Sequence, residues 1–201
     1  MRVSGGRNAV WICLASLMAA PTTALPCGFE DPNSATAARG ILNWAFPDAL
    51  HVTSAVWSAQ LRGIIAREEV VSAPATALLG YQKVAMRLGA FRNGLSSTLD
   101  GRGMPAFSMV LIGPMLWTRF ELIGTTVNMT LHAAGPLGGD VVIVTDEPVV
   151  AAMNAGRITS QAARELGLLR LYGAPDAVQH TMSWLDRPSP RTSSGASSAG
   201  N

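Results

Sequence analysis

The sequence has very little cysteine, with two such residues among 201. Cys13 lies in an amino-terminal stretch that we expect to be removed on export, which leaves Cys27 without an intramolecular partner. A scaffold held together by disulfides, common among small secreted domains, is therefore excluded. The 48% apolar composition is instead typical of a single domain that buries its own core.

Charged residues are also scarce, at 14% of the chain. Loss of residues 1–24 removes two of the 15 basic residues and none of the 13 acidic ones, so 13 of each remain and the formal net charge becomes zero. A neutral chain without a cluster of lysine or arginine lacks the basic surface that binds phosphate backbones. The composition therefore predicts no nucleic-acid partner.

The hydrophobic run at the amino terminus is short. Arg2 and Arg7 precede 12 consecutive residues of apolar character, and small side chains follow at Thr22 and Ala24. Residues 1–24 therefore have the pattern of a signal peptide that is cleaved after Ala24. Because such a run is too short to span a bilayer, we expect no transmembrane anchor after cleavage. The pattern predicts a periplasmic or secreted protein.

The sequence also lacks the local motifs that supply catalytic groups, such as G-x-S-x-G, H-E-x-x-H or a phosphate-cradling glycine loop. The adjacent carboxylates of Asp146 and Glu147 begin a predicted helix, where capping and the helix dipole account for them. We therefore predict that the protein is not an enzyme and that it uses no cofactor.

Helix signals come first along the chain after the leader. Residues 25–73 are predicted to form an amino-terminal helical segment, with one helix within residues 27–46 and a second over about residues 53–67. A third helix is predicted over about residues 74–91. The buried stripe predicted for this third helix consists of Leu78, Tyr81, Ala85 and Leu88.

Strand signals follow the helices. Three segments, over residues 106–113, 115–124 and 126–135, are rich in strand-forming residues and are separated by turns, which predicts an antiparallel meander. A fourth strand over residues 140–144 is apolar without interruption and is therefore expected to be covered on both sides or central in the sheet.

Two short helices, a fifth strand and a final helix are predicted to complete a domain over residues 74–186. Thr145 or Asp146 is predicted to cap the first of the short helices, and Thr159 the second. Residues 187–201 contain almost no apolar side chain, so they are predicted to be a disordered tail.

Several short motifs accompany this order of elements, namely Gly139-Asp140, Thr145-Asp146, Gly156-Arg157, the stretch 162–167 and Gly173, followed by an acidic residue at Asp176. The order and the motifs together resemble the sterol carrier protein 2-like (SCP2-like) lipid-binding fold, in which the last acidic residue comes directly after the glycine. The resemblance implies an α+β fold with N-terminal helices, then a mainly antiparallel five-stranded sheet covered on one face by helices.

The resemblance also implies an apolar small molecule or lipid held in a cavity between sheet and helices. The residues expected to line that cavity are Met109, Leu111, Phe120, Leu122, Val127, Met129, Leu131, Met153 and Met182. The same side chains are the ones that an ordinary hydrophobic core would contain, so both interpretations stay open on sequence grounds.

Two further hypotheses remain beside the binding protein. The protein is alternatively a non-enzymatic accessory subunit that docks on a periplasmic protein partner, which predicts a filled cavity and an exposed apolar patch around Trp44 and Phe46. As a metal or redox protein, it would use Cys27 and His51, which predicts that these two side chains lie within a few ångströms. Their spacing matches no standard metal site, and ordinary packing explains both residues equally.

Overall fold

The computed structural model describes residues 27–29, 31–67, 75–99 and 103–187. The predicted leader, and the predicted tail after residue 187, lie outside this part of the chain. The helices within it are α1 (Pro32–Ala45), α2 (Ala49–Leu61), α3 (Ala75–Ser97), α4 (Glu147–Asn154), α5 (Ser160–Glu165) and α6 (Pro175–Leu185). The strands are β1 (Phe107–Leu111), β2 (Leu116–Ile123), β3 (Thr126–Leu131), β4 (Val141–Thr145) and β5 (Arg170–Tyr172).

The order of elements from α3 to α6 is the one that the sequence predicts: one helix, four strands, two short helices, a strand and a helix. Two of the predicted caps are confirmed as well. The carboxylate of Asp146 accepts a hydrogen bond from the backbone N–H of Glu147 at 2.8 Å, at the start of α4. The hydroxyl of Thr159 accepts one from Ala162 N–H at 3.1 Å, at the start of α5.

The five strands form one sheet in the order β3-β2-β1-β4-β5. β1 runs parallel to β4, whereas the other three neighbouring pairs are antiparallel. The sheet is therefore mixed, and the prediction of a mainly antiparallel sheet is corrected. The alternation of residues identifies a strand but does not show which strands lie next to it. Here the loop after β3 returns the chain across the sheet, so that β4 pairs with the free edge of β1.

Helical segments lie on both faces of the sheet. On the face that we call the inner face, Phe91 of α3 packs edge-on against Phe120 of β2, with ring centroids 5.7 Å apart. On the outer face, Phe46 follows α1 and contacts Trp117 and Tyr172 at 6.0 and 5.3 Å. The sequence-based prediction covered one face with helices and did not place the amino-terminal segment, whose Phe46 lies on the other face. This double cover explains why every residue of β1 and β4 is buried.

Helix α3 is longer than the sequence predicts and is rotated about its axis. It continues to Ser97 instead of ending near residue 91. Its buried stripe consists of Val84, Leu88, Phe91 and Leu95, while Leu78 of the predicted stripe is 64% exposed. The predicted phase is wrong because the helix was expected to end near Phe91 and Leu95 to lie in the loop after it, whereas both residues pack into the core on a helix that continues past Gly94.

The amino-terminal helices also differ in their bounds, since α2 begins and ends several residues earlier than the predicted range of 53–67. It ends before Gly63, whose φ of 70° suits a residue without a side chain. Among the described residues, no helix is both long and apolar enough to cross a bilayer.

Candidate functional site

The inner face of the sheet is continuous and almost wholly apolar. Strand register places Met109 opposite Thr118, and Thr118 opposite Leu131, in one row across β1, β2 and β3. The next row consists of Phe107, Phe120 and Met129. Seven of the nine predicted lining residues therefore share this face, because side chains two positions apart along a strand point to the same side. The other two, Met153 and Met182, lie on α4 and α6.

The predicted lining residues are packed to different degrees. Those with less than 2% exposure are Met109, Leu111, Phe120 and Val127. Those that are half-buried against the core are Leu122, Met129, Leu131 and Met153. Met182 is half-buried on α6. The centre of the face is filled by the stacked rings of Phe107 and Phe120, 5.0 Å apart, so the looser packing lies toward β3.

Thr118 is the one polar side chain in the first of these rows, and the sequence-based prediction of lining residues omits it because it is polar. Its residue exposure is 0%, and its Oγ1 has no hydrogen-bond partner among the described residues. A buried hydroxyl without a partner costs about 1–3 kcal/mol. The sequence nonetheless indicated that Thr118 faces the same side of β2 as Phe120, because the two residues are two positions apart.

Thr145 also lies on the inner face, on β4, opposite Leu111 of β1. It is equally buried, but its Oγ1 donates a hydrogen bond to the backbone oxygen of Leu168 at 2.9 Å. The hydroxyl of Thr145 therefore has a hydrogen-bond partner in the protein, whereas that of Thr118 has none among the described residues.

Two surface clefts lie near the sheet and its helices. One of about 340 Å³ is formed by Arg119, Thr130 and the loop that follows β3. The other, of about 440 Å³, lies between α3 and α4 and is lined by residues that include Lys83, Arg87 and Arg157. Neither cleft is lined by any of the nine predicted residues. The predicted lining of an internal cavity therefore stays a prediction.

The Gly-Asp motif at the start of β4 has a structural role. The carboxylate of Asp140 accepts hydrogen bonds from Arg119 Nε at 2.9 Å and from Ser108 Oγ at 2.7 Å. It also accepts one from the backbone N–H of Leu137 at 3.2 Å. Arg119 contacts Glu121 as well. Asp140 thus joins β1, β2 and the loop before β4 on the outer face, and its side chain is 4% exposed.

These contacts shift the pKa of Asp140 below its usual value. Burial, the largest single influence, acts in the opposite direction and raises the pKa, but the hydrogen bonds from Arg119, Ser108 and the Leu137 backbone, together with the charge of Arg119, outweigh it. A carboxyl whose pKa is lower in the folded state stabilises the fold above its unfolded pKa, which is about 3.9. That stabilisation is lost as the pH falls through the folded pKa.

We expect Asp140→Asn to show this dependence directly. The difference in unfolding free energy between the original protein and the variant should be largest near neutral pH and should shrink as the pH falls below about 4. Urea denaturation at a series of pH values measures it. A difference that stays constant down to the lowest pH would mean that the charge of Asp140 does not stabilise the fold.

The structure does not bring Cys27 and His51 into a common site. Cys27 is 1% exposed and belongs to the hydrophobic core, whereas His51 is an exposed residue of α2 whose Nδ1 lies 3.3 Å from Asp48. Within the described ranges, no group of three or more histidine, cysteine, aspartate or glutamate residues is arranged to hold a metal ion. The packing interpretation therefore accounts for Cys27, and a solvent-exposed contact with Asp48 accounts for His51.

No protein-family model matches the chain, and no curated protein sequence matches it significantly. The structure is similar to that of sterol carrier protein 2 like 2 from Aedes aegypti, with a TM-score of 0.41 and 14% identity, covering 51% of this chain and 96% of that one. It is also similar to a conserved protein from Thermus thermophilus that is described as a possible sterol carrier protein, with a TM-score of 0.29 and 17% identity, over 52% and 79% of the two chains.

A third similar structure is a stereoselective inverting sec-alkylsulfatase from a Pseudomonas species. The TM-score is 0.36 and the identity is 15%, and the match covers 89% of this chain. This chain spans about a third of the sulfatase, 34% of its length. Likenesses of this degree carry no conclusion about ligand or activity.

Proposed function

We propose that the protein is an exported, non-catalytic binding protein that holds an apolar molecule between the inner face of its sheet and the helices over it. The leader-like pattern of residues 1–24 supports export to the periplasm or beyond the cell. The apolar character of the inner face supports the class of ligand.

The unpartnered hydroxyl of Thr118 is the observation that carries this proposal. It is enclosed by apolar side chains, with Met109 and Leu131 opposite it in the register. Folded proteins rarely leave a buried hydroxyl unsatisfied, and an exception calls for a partner that the protein itself does not supply. An apolar ligand with one hydrogen-bonding group, such as a hydroxyl or a carboxyl, would satisfy the hydroxyl and cover the surrounding surface.

The side of the inner face near β3 is the favoured place for such a ligand to enter. Leu122, Met129 and Leu131 are only half-buried there, in contrast to the filled centre around Phe120. Methionine adapts its side chain readily to irregular shapes, so Met129 can move aside without a large cost in packing.

Native mass spectrometry of the protein purified from the cell fraction in which it accumulates tests the proposal. We expect a mass above that of the polypeptide, and we expect organic extraction to remove the excess and recover an apolar compound in the solvent phase. A polypeptide mass in samples never exposed to detergent or organic solvent would contradict the proposal.

The matched variants Thr118→Val and Thr145→Val sharpen this test. After extraction, Thr118→Val should raise the free energy of unfolding by about 1 kcal/mol because it removes an unsatisfied hydroxyl. Thr145→Val should lower it by a similar amount, because Leu168 then loses its hydrogen bond. Before extraction, only Thr118→Val should retain less ligand, about fivefold less. If both variants lower the melting temperature of the extracted protein equally, Thr118 has a hydrogen-bond partner in the protein and is not the ligand contact.

A second candidate function, an accessory subunit with a protein partner, is favoured by one observation. Trp44 is 89% exposed, as that hypothesis requires. Phe46 behaves differently, since it is half-buried against Trp117 and Tyr172 and belongs to the core packing of the protein. An exposed tryptophan indicates a contact surface, but it does not indicate which molecule covers it.

A further inference from the structure

Helix α2 exposes a regular row of side chains to solvent. Leu50, Trp57 and Leu61 are 39%, 58% and 71% exposed. Ser54, which is also exposed, completes the row, so that successive members are four, three and four residues apart. This is the spacing of the contact positions in a helix that packs along another helix. We name these four residues the α2 stripe.

The opposite side of α2 is already buried in the protein. Its buried residues are Ala49, Val52, Val56 and Ala59. The helix contains no aspartate, glutamate, lysine or arginine, and exposed His51 is its single ionisable residue. An exposed row of large apolar side chains marks an interaction surface.

We propose that the α2 stripe binds a second copy of this chain, as an antiparallel helix pair about a two-fold axis. If the axis passes midway between Ser54 and Trp57, Leu50 of each copy lies against Leu61 of the other. Trp57 of each copy then lies over Ser54 of the other. The largest side chain of the stripe thus meets the smallest, and the same surface serves both copies, as a two-fold interface requires.

Charge at the two ends of α2 favours this antiparallel arrangement. Asp48 precedes the helix and its side chain is 59% exposed, and Arg62 follows the helix and is exposed as well. The same axis brings Asp48 of one copy to within one residue of the position opposite Arg62 of the other, at both ends of the pair. A parallel pair would instead bring like charges together, which is unfavourable.

The end of helix α1 lies close to the start of the α2 stripe. The side-chain oxygen of Asn43 accepts a hydrogen bond from the backbone N–H of Leu50 at 3.3 Å, so the end of α1 lies next to the start of α2. Trp44 and Ile41, which are 89% and 65% exposed, are on this part of α1. The proposed dimer does not depend on the ligand proposed above.

The oligomeric state of the purified protein tests the proposal. Sedimentation equilibrium over a range of micromolar concentrations should show a reversible dimer. Trp57→Ala should raise the dissociation constant about tenfold or more, since buried tryptophans dominate such interfaces. Leu79→Ala, which alters an exposed leucine of α3 outside the stripe, should leave it unchanged. Because Ser54 is exposed, Ser54→Arg should leave the fold intact, which circular dichroism checks. The same variant should abolish the dimer.

Charge reversal provides the decisive comparison. Arg62→Glu should weaken the dimer, and the second change Asp48→Lys in the same chain should restore it, because each end of the pair again joins opposite charges. A monomer at every concentration, or a dimer that tolerates both Trp57→Ala and Ser54→Arg, would overturn the proposal. So would a monomer that binds phospholipid vesicles through Trp57, which would make a membrane surface the occupant of the stripe.

Discussion

Replacement of Arg119 by methionine is expected to lower the free energy of unfolding by about 3–5 kcal/mol, the usual effect of removing one partner from a buried ion pair. The cost arises at Asp140, whose side chain is 4% exposed and which would keep only the hydrogen bonds from Ser108 and the backbone of Leu137. Methionine preserves much of the length of the arginine side chain, so the decrease in unfolding free energy measures mainly the removal of the guanidinium charge.

Urea denaturation measures this effect, and Arg92→Met is a suitable control. The guanidinium of Arg92 contacts Asn93, its neighbour in the chain, so a change of about 0.5 kcal/mol or less is expected there. The double variant Arg119→Met, Asp140→Asn should recover part of the loss, because no unpaired buried charge remains. If Arg119→Met costs no more than Arg92→Met, the cluster does not stabilise the fold.

Replacement of Phe120 by alanine is expected to lower the free energy of unfolding by about 3–5 kcal/mol. The ring is fully buried and lies between those of Phe107 and Phe91, so its removal leaves a void that these rigid neighbours cannot fill. This prediction treats Phe120 as core, although the SCP2-like resemblance places it among the residues that line a cavity.

Thermal unfolding of the extracted protein distinguishes the two roles, with Met153→Ala as the comparison. Met153 is half-buried on α4, so its truncation should cost less than that of Phe120. A decrease in unfolding free energy below about 1 kcal/mol for Phe120→Ala would show that its ring already borders an empty space. The proposed ligand position would then be the centre of the inner face instead of the side near β3.

Local patterns in the sequence were sufficient for much of the fold. Alternation of apolar and polar residues located β2 and β3, and the uninterrupted apolar run from Val141 identified a strand covered on both sides. The caps at Asp146 and Thr159 were equally local, because each depends on a side chain and a backbone N–H within three residues.

Long-range relations were not accessible in the same way. The parallel pairing of β1 with β4, the extension of α3 through Leu95 and the placement of Phe46 on the outer face all depend on residues far apart in the chain. The unsatisfied hydroxyl of Thr118 and the cluster around Asp140 belong to the same category, because a hydrogen-bond partner is defined only once strands are neighbours.

The amino-acid sequence thus sufficed for the composition class, the kind and order of the elements from α3 to α6, and the helix caps, since these depend on contacts over a few residues. Tertiary packing decided which strands are neighbours, which side of each helix is buried and which polar atoms lack a partner. These properties are set by the free energy of burying apolar surface across the whole domain, to which distant segments such as Phe46 and Trp117 contribute jointly.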